Sequence, residues 1–149
     1  MLTGELKNKI DSLWEMFWTG GITNPLDVVE QMTYLMFIHD LDETDAKKAK
    51  SSMMLELPYT SMFEGHEQYK WSVFRDLPAE KMYELMQMEI FPFIKNLHGS
   101  KESTYSRYMS DAIFKIPTPQ LLSKIVDALD NIYQDMAKNM NTDTKGDVY

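Results

Sequence analysis

Two proline-marked helix starts, Asn24-Pro25 and Thr118-Pro119, frame this chain, and the apolar residues after each recur at helical spacing. Asparagine and threonine accept hydrogen bonds from the free N–H groups of a helix start. Proline suits the first helical position because the N–H it lacks has no partner there. After Pro25 the pattern points Leu26, Val29, Met32, Leu35 and Met36 inward, to about Leu41. The run Tyr34-Leu35-Met36-Phe37-Ile38 is apolar enough to lie at the centre of a core. After Pro119, Leu121, Leu122, Ile125, Val126, Leu129, Ile132 and Tyr133 form one face of a helix over 119–136.

The intervening segments follow the same period. Leu6, Ile10, Leu13, Trp14 and Phe17 predict a helix from Gly4 to Trp18, ended by Gly20-Gly21. Residues 40–52 read either as an extension of the second helix or as a mobile connection. Pro58 and Gly65 break any long helix in 53–69, and Gln68–Phe74 reads as a short loop or turn. Pro78 starts a helix that carries Met82, Leu85, Met86, Ile90, Phe93, Ile94 and Leu97 on one stripe. Pro92 removes a backbone bond inside that stripe and predicts a kink near Met88. His98-Gly99-Ser100 ends the helix, and a short one over 103–114 turns Tyr105, Tyr108 and Met109 inward. No segment alternates as a half-buried strand does, and no unit repeats. The fold class is therefore all-α, a compact multi-helix bundle of five to seven helices.

The 149 residues suffice for one domain with its own core. The bundle is assigned to 1–142. Residues 143–149, Asp-Thr-Lys-Gly-Asp-Val-Tyr, read as a truncated junction to a missing domain and are expected to pack poorly. The chain has no cysteine, which removes disulfides and thiolate metal sites and fits the reducing cytoplasm. No apolar run approaches the roughly 20 residues that span a bilayer. Met1–Glu5 lacks the basic-then-apolar pattern of a signal peptide.

The net charge of −8 argues against a dedicated nucleic-acid binder. It is unevenly spread: residues 1–64 carry −6, residues 65–115 carry 0 and residues 116–149 carry −2. The middle third is thus the part best suited to phosphate. There Lys70, Trp71 and Arg75 cluster before the proline-containing helix, and Lys95, Asn96, Lys101, Tyr105 and Arg107 after it. Cations and stacking rings at adjacent connections fit a nucleic-acid backbone, a protein interface, or a mixed surface of no special role.

Catalytic constellations are missing. His39, His66 and His98 are not three or four residues apart, so no helical histidine pair can hold a metal. The acids Asp40, Asp42 and Asp45 lack the glycine and glutamate of a calcium loop. No phosphate-binding glycine loop or serine elbow occurs. Glu80 and Glu84 form an exposed like-charge pair rather than an acid–base dyad, and most of the 13 methionines are expected to fill the core. Catalytic, cofactor and metal residues are each expected to be none.

Several strings, in order, resemble a known family. They are Trp18-Thr19-Gly20-Gly21-Ile22-Thr23-Asn24-Pro25-Leu26-Asp27, Trp71-Ser72-Val73-Phe74, Met82-Tyr83-Glu84, Ile90–Leu97, Ile116-Pro117-Thr118-Pro119 with Leu121-Leu122, and Asp143–Tyr149. From about Leu6 to Tyr149 the chain is similar to the N-terminal helical domain of the modification (M) subunit of bacterial type I restriction–modification systems. The resemblance implies a DNA methyltransferase that uses S-adenosylmethionine to methylate the exocyclic amine of adenine. It places the glycine-containing cofactor motif and the Asn-Pro-Pro-aromatic motif in a following domain, so neither is carried over to these residues. It implies the specificity and restriction subunits, a second M subunit and DNA as partners. Lys70, Trp71, Arg75, Lys95, Lys101 and Arg107 are then the expected DNA or interdomain contacts. The rival reading is a free-standing helical interaction module without catalysis. A helix-turn-helix repressor fits poorly, because the last helix offers Lys124 against Asp127, Asp130 and Asp135.

Overall fold

The structure is a computed structural model that describes residues 4–96 and 112–147, with side chains as far as residue 138. Helices α1 (Gly4–Thr19), α2 (Pro25–Met54), α3 (Trp71–Phe74) and α5 (Pro119–Asp147) are joined by α4, which continues through Ala79–Leu85, Met86–Ile90 and Phe91–Lys95. No strand occurs among the described residues, and the all-α expectation holds.

Both sequence-marked starts form as expected. Asn24 Oδ1 accepts from the backbone N–H of Leu26 at 2.9 Å, and Thr118 Oγ1 from that of Leu121 at 3.2 Å. Helix α1 buries Leu6, Leu13 and Phe17, with Ile10 and Trp14 packed alongside. Helix α5 buries Leu121, Leu122, Ile125, Val126, Leu129 and Ile132 against α1 and α4. Gly20 lets these helices close up: a Cβ there would lie 2.4 Å from Leu121 Cδ2.

Helix α2 settles one open reading and corrects another. It runs unbroken to Met54, so residues 40–52 are its extension. Its inward face is Val28, Gln31, Tyr34, Leu35 and Ile38, while Leu26, Val29 and Met36 are exposed. The helix is apolar on more than one side, so periodicity alone does not fix its rotation. Gln31 does. It is 1% exposed; its Nε2 donates to the Ile113 carbonyl at 2.9 Å and its Oε1 accepts from the Lys115 N–H at 3.0 Å. These bonds satisfy the irregular stretch 112–118, which Tyr83 also holds by donating to the Ile116 carbonyl at 2.7 Å. Residues 112–114 are therefore not helical; the rest of the predicted 103–114 helix, including Tyr105, Tyr108 and Met109, lies outside the described residues.

Pro92 disturbs α4 where expected, by widening the helix. Met86–Ile90 is π-helical, and the Phe91 N–H reaches five residues back to the Met86 carbonyl. The wider turn accommodates a proline ring that would otherwise crowd the carbonyl of Met88. Residues 68–74, expected as a short loop or turn, instead belong to a 3₁₀ turn (Glu67–Tyr69) and to α3, which follows it. The methionines divide: Met82 and Met86 are core, but Met36, Met53, Met54, Met88 and Met136 are exposed, against the expectation of mostly core filling. Helix α5 continues past the expected end at 136 to Asp147; Val148 and Tyr149 lie outside the described residues.

Candidate subunit and nucleic-acid interface

The basic cluster of the middle third is built around α3. The backbone N–H of Ser72 in its first turn donates to Asp42 Oδ2 of α2 at 2.9 Å. This turns Trp71 inward, and its indole is 1% exposed. It meets Phe74, His39 and Tyr133 edge-on, with ring centroids 5.4, 5.4 and 6.4 Å away. Trp71 is a core side chain with no face available for stacking on a base.

Its one polar atom is satisfied across the bundle. Trp71 Nε1 donates to Asp130 Oδ1 of α5 at 2.9 Å, and Arg75 Nη1 donates to the same oxygen at 3.0 Å. Gln134 Nε2 donates to Asp130 Oδ2 at 2.7 Å. Arg75 also lies 3.9 Å from Asp76. Two carboxylates thus surround the guanidinium, which leaves it little net attraction for a phosphate.

His39 completes this corner. Its ring stacks on Tyr133 with centroids 3.6 Å apart, and its Nδ1 lies 3.7 Å from Asp40 Oδ1 and from Glu43 Oε2. These are the only three metal-ligating groups close together among the described residues. Glu43 is already paired with Lys47 at 3.1 Å, so the arrangement is a packed histidine facing two solvated acids.

The remaining predicted bases do not join this corner. Lys70 is partly buried next to α3, and its charge acts on Asp45 of α2. Lys95 lines a separate groove with Gln87, Phe91, Pro92 and residues 112–114. Lys101 and Arg107 lie outside the described residues.

Sequence reasoning missed a polar clasp on the far half of α2. Asp45 is 3% exposed, inside a helix that otherwise looks solvated at this point. It accepts from Tyr59 Oη at 2.5 Å, Ser61 Oγ at 2.7 Å and the Met62 N–H at 3.3 Å. Burial by itself would raise its pKa. The donors Tyr59, Ser61 and Met62, with the charge of Lys70, outweigh burial and hold it below the ordinary carboxylate value. The clasp folds 59–62 back along α2 and leaves the tip between them, Met53–Leu57, exposed. The signal was a pair of hydroxyl donors, Tyr59 and Ser61, directly after Pro58.

No helix among the described residues is long and apolar enough to cross a membrane. The family model described as HsdM N-terminal domain matches residues 6–129. No curated protein and no solved structure gives a significant match.

Proposed function

Because the chain belongs to the HsdM N-terminal domain family, found in the M subunits of type I restriction–modification systems, we propose that it is a closing and partner-contacting module of a DNA methyltransferase. In this reading an S-adenosylmethionine-dependent catalytic domain methylates the exocyclic amine of adenine, in the cytoplasm. That chemistry requires the base to leave the helical stack, because the amine is paired inside the duplex. The helical module encloses DNA together with the specificity subunit, a second M subunit and, for cleavage, the restriction subunit.

The observation that carries the reading is the family match over residues 6–129. Charge supports the division of labour. A chain of net −8 whose Arg75 is matched by Asp130 and Asp76 neutralises few phosphates, so its affinity for DNA must come mainly from the rest of the complex.

The test is to express the reading frame with its downstream codons and assay transfer of labelled methyl groups to adenine. Transfer that depends on the cognate specificity subunit supports the reading. A stop codon soon after Tyr149 would overturn it in favour of the free-standing interaction module. So would a full-length protein that transfers no methyl group with its specificity subunit present.

A further inference from the structure

Near its C-terminal end α2 carries a small pocket made of hydrogen-bond donors. Lys47 and Ser51 stand four residues apart, as do Lys48 and Ser52, so each pair stacks on one side of the helix, one turn above the other. Tyr59 comes back over them because its hydroxyl donates to Asp45. The five side chains enclose an open pocket of about 330 Å³, and no carboxylate of the described residues lines it.

The fold does not consume these donors. Elsewhere in α1 and α2 a helical hydroxyl bonds back onto its own helix, Thr19 to the Glu15 carbonyl at 2.9 Å and Thr33 to the Val29 carbonyl at 2.7 Å. Among the described residues the hydroxyls of Ser51 and Ser52 make no such bond, and Lys48 has no ion-pair partner. Lys47 does pair with Glu43 at 3.1 Å, but that pair is exposed and of little net worth, so an anion can displace it. The other nearby acid, Asp45, is buried, held by its own three donors and opposed by Lys70. A helix C-terminus ordinarily repels an anion through its free carbonyls. Here the Leu55 and Leu57 N–H groups bond the Ser51 and Ser52 carbonyls, and the Glu56 N–H bonds that of Met53. Glu56 takes φ 57° to form this cap, the position that Gly21 (φ +107°) fills at the end of α1.

The apolar tip beside the pocket narrows what carries the anion. Met53, Met54, Leu55 and Leu57 follow the pocket directly, and all are exposed. A DNA groove offers the matching surface, with phosphates along its lips and base edges, thymine methyls among them, on its floor. The dimensions agree. A helix with its side chains is about 10–12 Å across, against ~12 Å for the width of the major groove. Lys48 precedes Met53 by five residues, about 7.5 Å of helix rise, against a groove depth of ~8.5 Å. A tip resting on the groove floor leaves the Lys47–Lys48 turn level with the phosphates and the serines just inside the lip. We propose that the pocket of Lys47, Lys48, Ser51 and Ser52 holds a backbone phosphate of duplex DNA while the Met53–Leu57 tip enters the adjoining major groove. The contact thus lies on α2 rather than at Trp71 and Arg75, whose polar groups are taken up by Asp130. The proposal locates a DNA contact for the preceding reading and rests on that reading for its setting.

Fluorescence anisotropy of a labelled DNA duplex titrated with the 149-residue chain tests this. The expected result is weak binding whose log K falls with log salt at a slope of about −1 to −2, as for one or two neutralised phosphates. Lys48→Ala is expected to weaken it at least about fivefold near 50 mM salt and to flatten the slope, without changing the circular dichroism spectrum. Lys48→Arg retains most of the binding. Ser51→Ala combined with Ser52→Ala weakens it and leaves the slope unchanged. Lys7→Ala, which removes the same charge from an exposed position on α1, has no effect. No binding to the duplex in low salt, a Lys48→Ala variant that binds as the parent does, or equal losses for Lys48→Ala and Lys7→Ala would overturn the site. Lys48-dependent binding to phosphatidylserine vesicles without binding to the duplex would overturn DNA as the occupant in favour of a membrane surface. An affinity for inorganic phosphate equal to that for the duplex would overturn it in favour of a free oxyanion. Specificity-dependent methylation by the full-length protein, with duplex binding indifferent to Lys48, would remove the site and leave the functional reading intact. Lys48-dependent duplex binding in a frame that encodes no methyltransferase would do the reverse.

Discussion

Trp71 and Asp130, 59 residues apart in the chain, are joined by a 2.9 Å hydrogen bond from the indole N–H to a carboxylate oxygen that Arg75 shares. The bond links α3 to α5 and is the reason Trp71 can be buried at all, since a buried indole N–H needs an acceptor. Asp130→Ala leaves that N–H without a partner and frees Arg75. It should destabilise the chain by about 2–3 kcal/mol, against under 1 kcal/mol for Arg75→Ala, whose half-exposed cation water can solvate. Urea unfolding of the two variants checks the order; equal losses would mean that the ion pair, not the indole, is what Asp130 serves.

Gln31 is expected to resemble Asp130 in effect. Gln31→Leu keeps the bulk but strands the Ile113 carbonyl and the Lys115 N–H, at about 1–3 kcal/mol. Gln31→Glu should be worse near neutral pH, because a carboxylate accepts from Lys115 but cannot donate to Ile113. Its loss should shrink in acid, where the protonated carboxyl can donate again. Thermal melts at neutral and acid pH test both statements.

Asp45 sets a pH dependence. Its folded pKa is depressed, so its stabilising effect is present above the unfolded value of about 3.9 and fades as pH falls through the folded value. Asp45→Asn should cost about 1–3 kcal/mol at pH 7. The gap from the parent chain should narrow below about pH 4. A gap that stays constant down to pH 2 would mean that the clasp works through shape rather than charge.

The two helix ends predict opposite responses to glycine chemistry. Glu56→Gly relieves a non-glycine residue held at φ 57° and should stabilise the chain by up to about 1 kcal/mol. Gly21→Ala forces a side chain into φ +107° and should destabilise it by about 1–2 kcal/mol. A matched pair of guanidinium melts reads both.

The helix starts were legible because they are local. Asn24, Pro25, Thr118 and Pro119 act within one turn, and each cap formed where the sequence put it. The faces of α1 and α5 were legible for a related reason: each is apolar on one side only, so period and burial coincide. On α2 they did not coincide, and Leu26, Val29 and Met36 point outward because Gln31 finds its partners 82 and 84 residues away.

By itself the sequence determined an all-helical chain, its main boundaries, and the strings that place it in its family. Tertiary structure alone decided which polar groups are buried and which cations are free. Trp71 and Arg75, grouped by sequence as contacts for an external partner, meet Asp130 across the bundle. The acidic stretch after Leu41 is helix, with Asp45 buried, because Tyr59 and Ser61 fold back to bond it. The physical reason is the range of the forces. Capping and periodicity are decided within a few residues. Burying a polar group depends on a partner that only the folded chain brings within 3 Å.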